Sequence, residues 1–413
     1  MSTTQTPDVP SFDDVCRFVI SVGEAAHGYG SGAARLEAFL SRLTTAFGFS
    51  GVFRSTPTEM VFAFQEDDDH PQIVHLVALP GTGLDLAKLA QLGDLVDAVV
   101  AKQVSVSQAR ARLDEIAGAP HPWGVLAGAF SYAAVGAGLA VLFSLGWWDA
   151  LLATLLSLVV YGMVVLSGRF GARTAEWLPL SSAFVAAALA TATRLWLPEL
   201  NVVMVTLASI AVLLPGYTIS LGLIELVSQH VVSGTANLMS GLVYLAKQFI
   251  GAWLGVGLAS LLLPVHAAPA GTAVEAQWLW LFMPLIILGL CVIFQTSRRD
   301  LLPAAFGCAI AYGGVLLGSA LVGGNLGNLL GTIVAVVFAN LWARQTRRPT
   351  SIVLLPAIVL LVSGSIGFRG LAAMAAGQAA TGGQQFLQMF VVALTIAAGL
   401  LIGNTITKPE ATL

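Results

Sequence analysis

Charge is scarce in this sequence. Only 10% of its 413 residues are Asp, Glu, Lys or Arg, and 57% are hydrophobic, whereas a soluble domain carries about 25% charge. The shortage is local. Residues 1–121 hold 23 of the 41 charged side chains, and the other 292 residues hold 18. The chain therefore divides near residue 120 into an acidic, soluble-looking part and a membrane part. Cysteine is equally sparse. Cys16, Cys291 and Cys308 form no CxxC pair and no metal spacing, so neither a disulfide framework nor a metal site is expected. Cys291 and Cys308 fall in apolar segments, where a buried inert thiol is the ordinary role. Met1 to Pro10 has no apolar run and predicts no cleavable signal peptide. No basic stripe lies outside short loops, which argues against nucleic acid as a partner. No Gly-Lys-Ser/Thr phosphate loop is present, so an ATP-driven pump is not expected. Gly28-Tyr-Gly-Ser-Gly32 has the outline of a nucleophile turn. Its serine follows a helical run rather than a strand, and Tyr29 stands out of pattern.

The first 121 residues read as a small α/β domain. Ser11–Ala26 has helical periodicity, with Phe12, Val15, Val19 and Val22 on one face. Ala33–Phe47 is a second amphipathic helix ending at Gly48. Three short extended runs follow at 51–55, 60–64 and 73–79, separated by Thr56-Pro57-Thr58 and by the acidic turn at 66–69. Helices at 84–100 and 106–116 close the domain, with Ser105 or Ser107 as N-cap of the last. Residues 118–122 are the linker.

Beyond Pro122 come ten apolar segments near the ~20 residues that a bilayer span needs. They lie at about 123–145, 149–167, 178–197, 201–222, 236–262, 276–295, 301–321, 324–342, 351–373 and 385–406. With the N-terminus inside, the inner loops and tail hold Arg169, Arg173, Arg298, Arg299, Arg344, Arg347, Arg348 and Lys408, and the outer side holds Arg194 and Arg369. This positive-inside bias predicts both termini in the cytoplasm.

The second and seventh spans match in order: Asp149-Ala-Leu-Leu-Ala with Tyr161-Gly, against Asp300-Leu-Leu-Pro-Ala with Tyr312-Gly. The third and eighth share Arg194-Leu-Trp196 and Asn340-Leu-Trp342. The fourth and ninth share a breaker, Pro215-Gly216 and Ser363-Gly364. Two copies of five helices, at 122–265 and 266–413, follow. Five is odd, so the second copy enters the membrane inverted, the plan of many secondary transporters. Chance similarity of apolar helices is the plainer reading.

Interrupted helices at matching places point to a transport site, because freed carbonyls and half-helix N-termini can hold a zwitterion. A packing kink is the alternative. Pro215, Gly216 and Thr218 with Ser363, Gly364 and Ser365 are the candidate substrate-binding residues. Lys247 joins them as an intramembrane cation expected to face protein or water, either toward a substrate carboxylate or in a structural ion pair with Glu225. Glu225 is the candidate for proton coupling, set against the role of an ordinary juxtamembrane carboxylate. For Arg194 and Arg369, recognition of carboxylates from opposite repeats is set against interfacial snorkelling, the more ordinary role. Asn237, Asn325, Asn328 and Asn404 are helix-embedded amides.

At these residues the chain resembles the threonine/serine exporter family. Arg35-Leu-Glu37 and Thr56-Pro57-Thr58 look like its Arg-x-Glu and Thr-Pro-Thr signatures. Gly146-Trp-Trp-Asp149, Leu214-Pro215-Gly216 and Ser233-Gly-Thr235 look like its first half. Arg299-Asp300 and the run from Arg348-Pro349 and Pro356 to Gly370 look like its second. Members commonly carry Val-Pro-Gly where this chain has Val362-Ser363-Gly364. The resemblance implies efflux of threonine and serine, driven by the proton motive force, through an inner membrane. A related split two-subunit form implies dicarboxylate export as the alternative, and a membrane-bound hydrolase acting through residues 1–121 is a third reading. The expected partners are a small amino-acid substrate, the lipid bilayer and a second copy of the chain. No cofactor is expected, and the chain is not expected to be an enzyme.

Overall fold

A computed structural model describes residues 11–79, 83–264, 271–362 and 364–408. The chain opens with α1 (Phe12–Gly28) and α2 (Ala33–Ala46). Ser11 caps α1 by accepting from the Asp14 backbone N–H at 3.2 Å, and Phe18, Val19 and Val22 form its fully buried stripe. The strands β1 (Ser50–Ser55), β2 (Glu59–Gln65) and β3 (Ile73–Ala78) form one antiparallel sheet in the order β1-β2-β3. Thr56-Pro57-Thr58 makes the β1–β2 turn, where the Thr56 backbone N–H donates to the Glu59 carbonyl at 2.9 Å. Phe53 pairs with Phe62 across the strands, and both rings enter the core with Phe64. The helices α3 (Leu86–Val100) and α4 (Val106–Gly118) complete this part, with Ser105 and Gln108 forming a capping box on α4.

The remaining helices are α5 (Val125–Leu142), α6 (Trp147–Phe170), α7 (Ala172–Thr193), α8 (Val202–Ser209), α9 (Gly216–Val227) and α10 (Val231–Leu262). After them come α11 (Leu279–Ile293), α12 (Leu301–Val322), α13 (Gly324–Thr346), α14 (Ser351–Leu361), α15 (Gly364–Ala375) and α16 (Ala379–Ile406). Among the described residues nine helical segments are long and apolar enough to cross a membrane. The pair α8 and α9, bent by 61° at the 3₁₀ turn Ala211–Leu213, makes a tenth. These are the ten segments expected from hydropathy. The structure lengthens several of them: the tenth starts at Ala379 rather than 385, and the fifth at Val231 rather than 236. Leu126, Leu261, Trp280 and Leu302 project outward, as lipid-facing side chains do, while glycine and alanine line the helix contacts.

The two sets of five helices pack alike. Helix α6 lies on α8 as α12 lies on α14, α7 on α10 as α13 on α16, and α9 on α10 as α15 on α16. Across the halves α9 meets α16 and α10 meets α15, while α5 packs on α11. The equivalence extends to single contacts. Gly216, Gly222, Gly234, Gly251 and Gly255 recur 148 positions later as Gly364, Gly370, Gly382, Gly399 and Gly403. A Cβ at Gly222 would lie 2.6 Å from the Leu238 backbone nitrogen, and one at Gly370 would lie 2.9 Å from that of Phe386, the residue 148 positions on from Leu238. Only glycine permits such close crossings of α9 with α10 and of α15 with α16.

Residues 11–118 sit on one end of this bundle and touch loops from both halves. The Leu86 and Ala87 backbone N–H groups donate to the Phe294 and Gln295 carbonyls at 3.0 Å each. Trp123 Nε1 donates to the Thr296 carbonyl at 2.7 Å, and Arg298 lies over the Trp123 ring. Arg348 bridges Asp94, 3.7 Å away, and Asp300. Two of the loops expected to be positively charged, those carrying Arg298 and Arg348, thus lie on the face that carries the N-terminal part.

Candidate functional site

The two breaks face each other. Leu214 is extended, Pro215 precedes α9, and α9 starts at Gly216. Val362 is extended, and α15 starts at Gly364. A Cβ on Gly216 would come within 3.0 Å of the Gly364 backbone nitrogen, and one on Gly364 within 3.0 Å of the Gly216 Cα. The two helix starts are therefore in backbone contact at the middle of the bundle, each bringing free N–H groups and the positive end of a helix dipole. Gln248, fully buried on α10, donates from Nε2 to the Leu213 carbonyl at 3.1 Å, so it caps a group that the break releases. Its Oε1 has no hydrogen-bond partner.

Two pockets flank this contact. The proximal one, of about 450 Å³, lies between α2, α9, α14 and α16 on the side of residues 11–118. The distal one, of about 210 Å³, lies between α8, α10 and α15. They are counterparts: Ser351, Leu354, Leu400, Leu401 and Asn404 line the first, and Val203, Thr206, Ala252, Trp253 and Val256, each 148 positions earlier, line the second. Ile224 and Ser228 correspond in the same way to Ala372 and Ala376. The proximal pocket has an added wall from the Gly30–Ala33 loop and α2, with no counterpart in the distal one.

Glu225 lies on the proximal wall and is only 3% exposed. Its Oε1 accepts from the Ala33 backbone N–H at 3.3 Å, and its Oε2 accepts from Ser233 Oγ and Asn237 Nδ2 at 2.8 Å each. One carboxylate thus ties the first turn of α2 to α9 and α10. Nearby, Glu37 accepts from the Ser55 N–H and from Arg54, both at 2.9 Å. Arg35, half-buried, projects into the proximal pocket. Burial pushes its guanidinium below the ordinary value, and the Tyr217 phenol opposes that shift.

The candidate residues named from sequence divide on this geometry. Pro215, Gly216 and Gly364 come together at the paired breaks. Ser363 lies outside the described residues. Thr218 and Ser365 are half-buried in the first turns of α9 and α15 and line neither pocket. Lys247 departs from the expected pairing with Glu225. It is exposed on the outer face of α10 in line with Met239, Val243 and Ile250, and it makes no ion pair with a described residue. Successive helix positions turn by about 100°, so packing Gln248 inward turns Lys247 outward. Glu225 takes its partners from α2 and α10 instead. Arg194 donates from Nε and Nη2 to the Leu200 carbonyl, at 3.0 and 2.8 Å, and Arg369 stacks on Phe143. Of the amides, Asn237 serves Glu225, and Asn404 accepts from Asn340 at 3.0 Å. Asn328 has its carbonyl taken by Thr332, and the Asn325 side chain lies outside the described set. Ser31, the serine of the nucleophile-like turn, is buried with no hydrogen-bond partner, so no base is beside it. Arg35, Gln248, Ser351 and Tyr217 were not candidates. Gln248 had a signal, as an amide in the middle of an apolar span.

A family model described as a threonine/serine exporter matches residues 17–259, more than half of the chain. The chain belongs to the threonine/serine exporter family. A second model, described as "Threonine/Serine exporter, ThrE", matches residues 279–406. This family member is 25% identical over 418 residues to a "Probable threonine/serine exporter" of Mycobacterium tuberculosis, covering 96% of this chain and 77% of that one. It is 25% identical over 366 residues to the Pheromone-regulated membrane protein 10 of Candida albicans, covering 85% of this chain and 32% of the relative. A Schizosaccharomyces pombe protein is 24% identical over 376 residues, 86% of this chain and 48% of its own. The chain thus spans between a third and a half of the length of these fungal relatives. No solved structure matches it.

Proposed function

We propose that this chain is a secondary carrier that exports small hydroxy amino acids, threonine and serine foremost, across the inner (cytoplasmic) membrane. The observation that carries this reading is the pair of related pockets on either side of the Gly216–Gly364 contact. A site at the junction of two inverted halves, reached alternately from two sides, is what alternating access requires. The substrate class is supported by the family's name and by that of the mycobacterial relative. In this reading the chain works as three units, 1–121, 122–265 and 266–413, with both termini cytoplasmic and the proximal pocket opening inward. Pro215, Gly216 and Gly364 present the helix starts to the substrate, with Thr218 and Ser365 in the same first turns, and Lys247 stays at the lipid-facing surface. Glu225 couples transport to protons. A proton on its carboxyl replaces an acceptor with a donor, and loss of the bond from the Ala33 N–H, which can only donate, loosens α2 from the bundle.

The test is counterflow in proteoliposomes holding the full chain. Vesicles loaded with unlabelled threonine should accumulate labelled threonine and serine, and an inwardly acidic gradient should change the rate. Accumulation of labelled succinate without threonine would move the substrate to dicarboxylates. Counterflow of none of the three would overturn the carrier assignment.

A further inference from the structure

The proximal pocket is closed on one side by residues outside the bundle, and that wall carries polar groups with nothing to bind. Ser31, 6% exposed, and Ser351, 8% exposed, both line the pocket, and neither hydroxyl has a hydrogen-bond partner. They come from opposite walls, Ser31 from the loop before α2 and Ser351 from the first turn of α14. Arg35 lies between these elements on α2. It forms no ion pair with a described residue, and its electrostatic neighbour is the Tyr217 phenol. The other cation of the wall, Arg42, has Asp97 as its acidic neighbour. The wall's carboxylate, Glu225, already accepts from three donors. Among the described residues the pocket therefore presents one guanidinium without an ion pair and two idle hydroxyls.

Unpaired buried polar groups lose their hydration without compensation, and native structures keep few of them without a use. A guanidinium stays charged even when burial opposes it, and its planar fork matches a carboxylate with two parallel hydrogen bonds. The volume, about 450 Å³, falls within the usual range for small-ligand sites, about 300–1,000 Å³. The distal pocket offers the contrast. Val203 stands where Ser351 does and Val256 where Asn404 does, and no charged side chain lines it. Recognition of a charged ligand therefore belongs to the proximal side.

We infer that Arg35 binds the carboxylate of the transported molecule in the proximal pocket, with the Ser31 and Ser351 hydroxyls holding its hydroxyl or ammonium group. The ligand class is a small α-carboxylate bearing a second polar group. The soluble part is then a specificity element of the carrier, because the bundle alone lacks the cation. This deepens the proposed export of hydroxy amino acids and rests on it for the identity of the ligand.

The test uses the full chain with Ala38→Cys, a position exposed on the same wall; the native Cys16, Cys291 and Cys308 are all buried. Labelling of the introduced thiol by a charged methanethiosulfonate is followed with L-threonine, with L-threoninol, which lacks the carboxylate, and with succinate. Threonine should slow labelling and threoninol should not. Arg35→Gln should remove the protection and raise the KM for counterflow at least tenfold, a loss of about 1.4 kcal/mol or more, with kcat changed much less. Arg35→Lys should restore part of both, because it keeps the charge and loses the fork. Should Arg35→Gln fail to fold, the pair Ser31→Ala and Ser351→Ala reads the same protection. Equal protection by threonine and threoninol, or threonine protection that survives Arg35→Gln and the serine pair, overturns the inference. If the parent transports threonine while no carboxylate protects the introduced thiol, the Arg35 site falls and the carrier reading stands. If succinate alone protects, and does so through Arg35, the site stands and the hydroxy amino acid reading falls.

Discussion

The two pockets have nearly the same backbone and opposite chemistry. Each is made by the first helix of a broken pair, the second helix of the other pair, and a long helix carrying the same glycine spacing. On the proximal side the lining includes Ser351, Asn404, Ser228 and Glu225; on the distal side Val203, Val256 and Ala376 line the places of the first three, and Ala373, the counterpart of Glu225, is not in the lining. Duplicated architecture preserves the crossings, where glycine is required by close backbone approach, and leaves the lining free to differ. The soluble part widens the difference. It covers the proximal pocket and bonds to Glu225, and the distal pocket lacks any such cover among the described residues.

The largest expected effect probes what the two sides share. Gly216→Val and Gly364→Val each push a side chain into the opposite helix start, and overpacking of this kind costs about 1–3 kcal/mol. Each should reduce counterflow to background with the protein still in the membrane, and the double variant should be no worse than either single. Loss in one variant alone would break the equivalence of the halves. Glu225→Gln comes next. It points an NH₂ group at donors that expect an acceptor, and should cost about 1–3 kcal/mol of stability, read as a lower melting temperature of the full chain. The counterpart change, Ala373→Ser, should stay within about 0.5 kcal/mol.

A smaller effect comes from exchanging lining residues. Asn404→Val, which copies Val256, removes one acceptor from Asn340, whose amide keeps its bonds to the Thr407 carbonyl and hydroxyl. It should cost about 1 kcal/mol and raise the proximal-side KM, while Val256→Asn should leave that KM unchanged. The smallest effect is a pH dependence. His27, 3% exposed at the end of α1, is held below the ordinary histidine value of 6.5 by burial, against the pull of the Pro57 carbonyl. The unfolded chain therefore binds its proton first as pH falls. Stability is complete above about pH 6.5 and declines below it. Melting curves between pH 5 and 8 should show this slope in the parent and a shallower one in His27→Gln. The difference between the two slopes isolates His27.

Much of the fold was legible before any coordinates. Ten spans followed from apolar length, and the α/β start from periodicity and turn residues. Pro215-Gly216 and Ser363-Gly364 marked the breaks because proline and glycine release the helix ladder. The glycine series at 148 positions was equally visible as spacing. That spacing carries no meaning alone, because isolated glycines in apolar helices are common and acquire meaning only when their neighbours are known. The side-chain assignments were less legible. Lys247 and Gln248 are adjacent polar residues in one apolar helix, and a helix apolar on all sides does not announce which face packs.

The sequence by itself determined how many helices there are, where two of them break, which segment stays soluble and that the halves repeat. These properties rest on local chemistry: hydrophobic length, backbone-breaking residues and charge scarcity. Only the tertiary structure decided that the two breaks touch, that Glu225 is tied to α2 and that Arg35 shares a pocket with Ser351 and Asn404. Those contacts join residues more than a hundred positions apart, and they depend on helix rotation and on the docking of one end of the chain against the other, which no local pattern encodes.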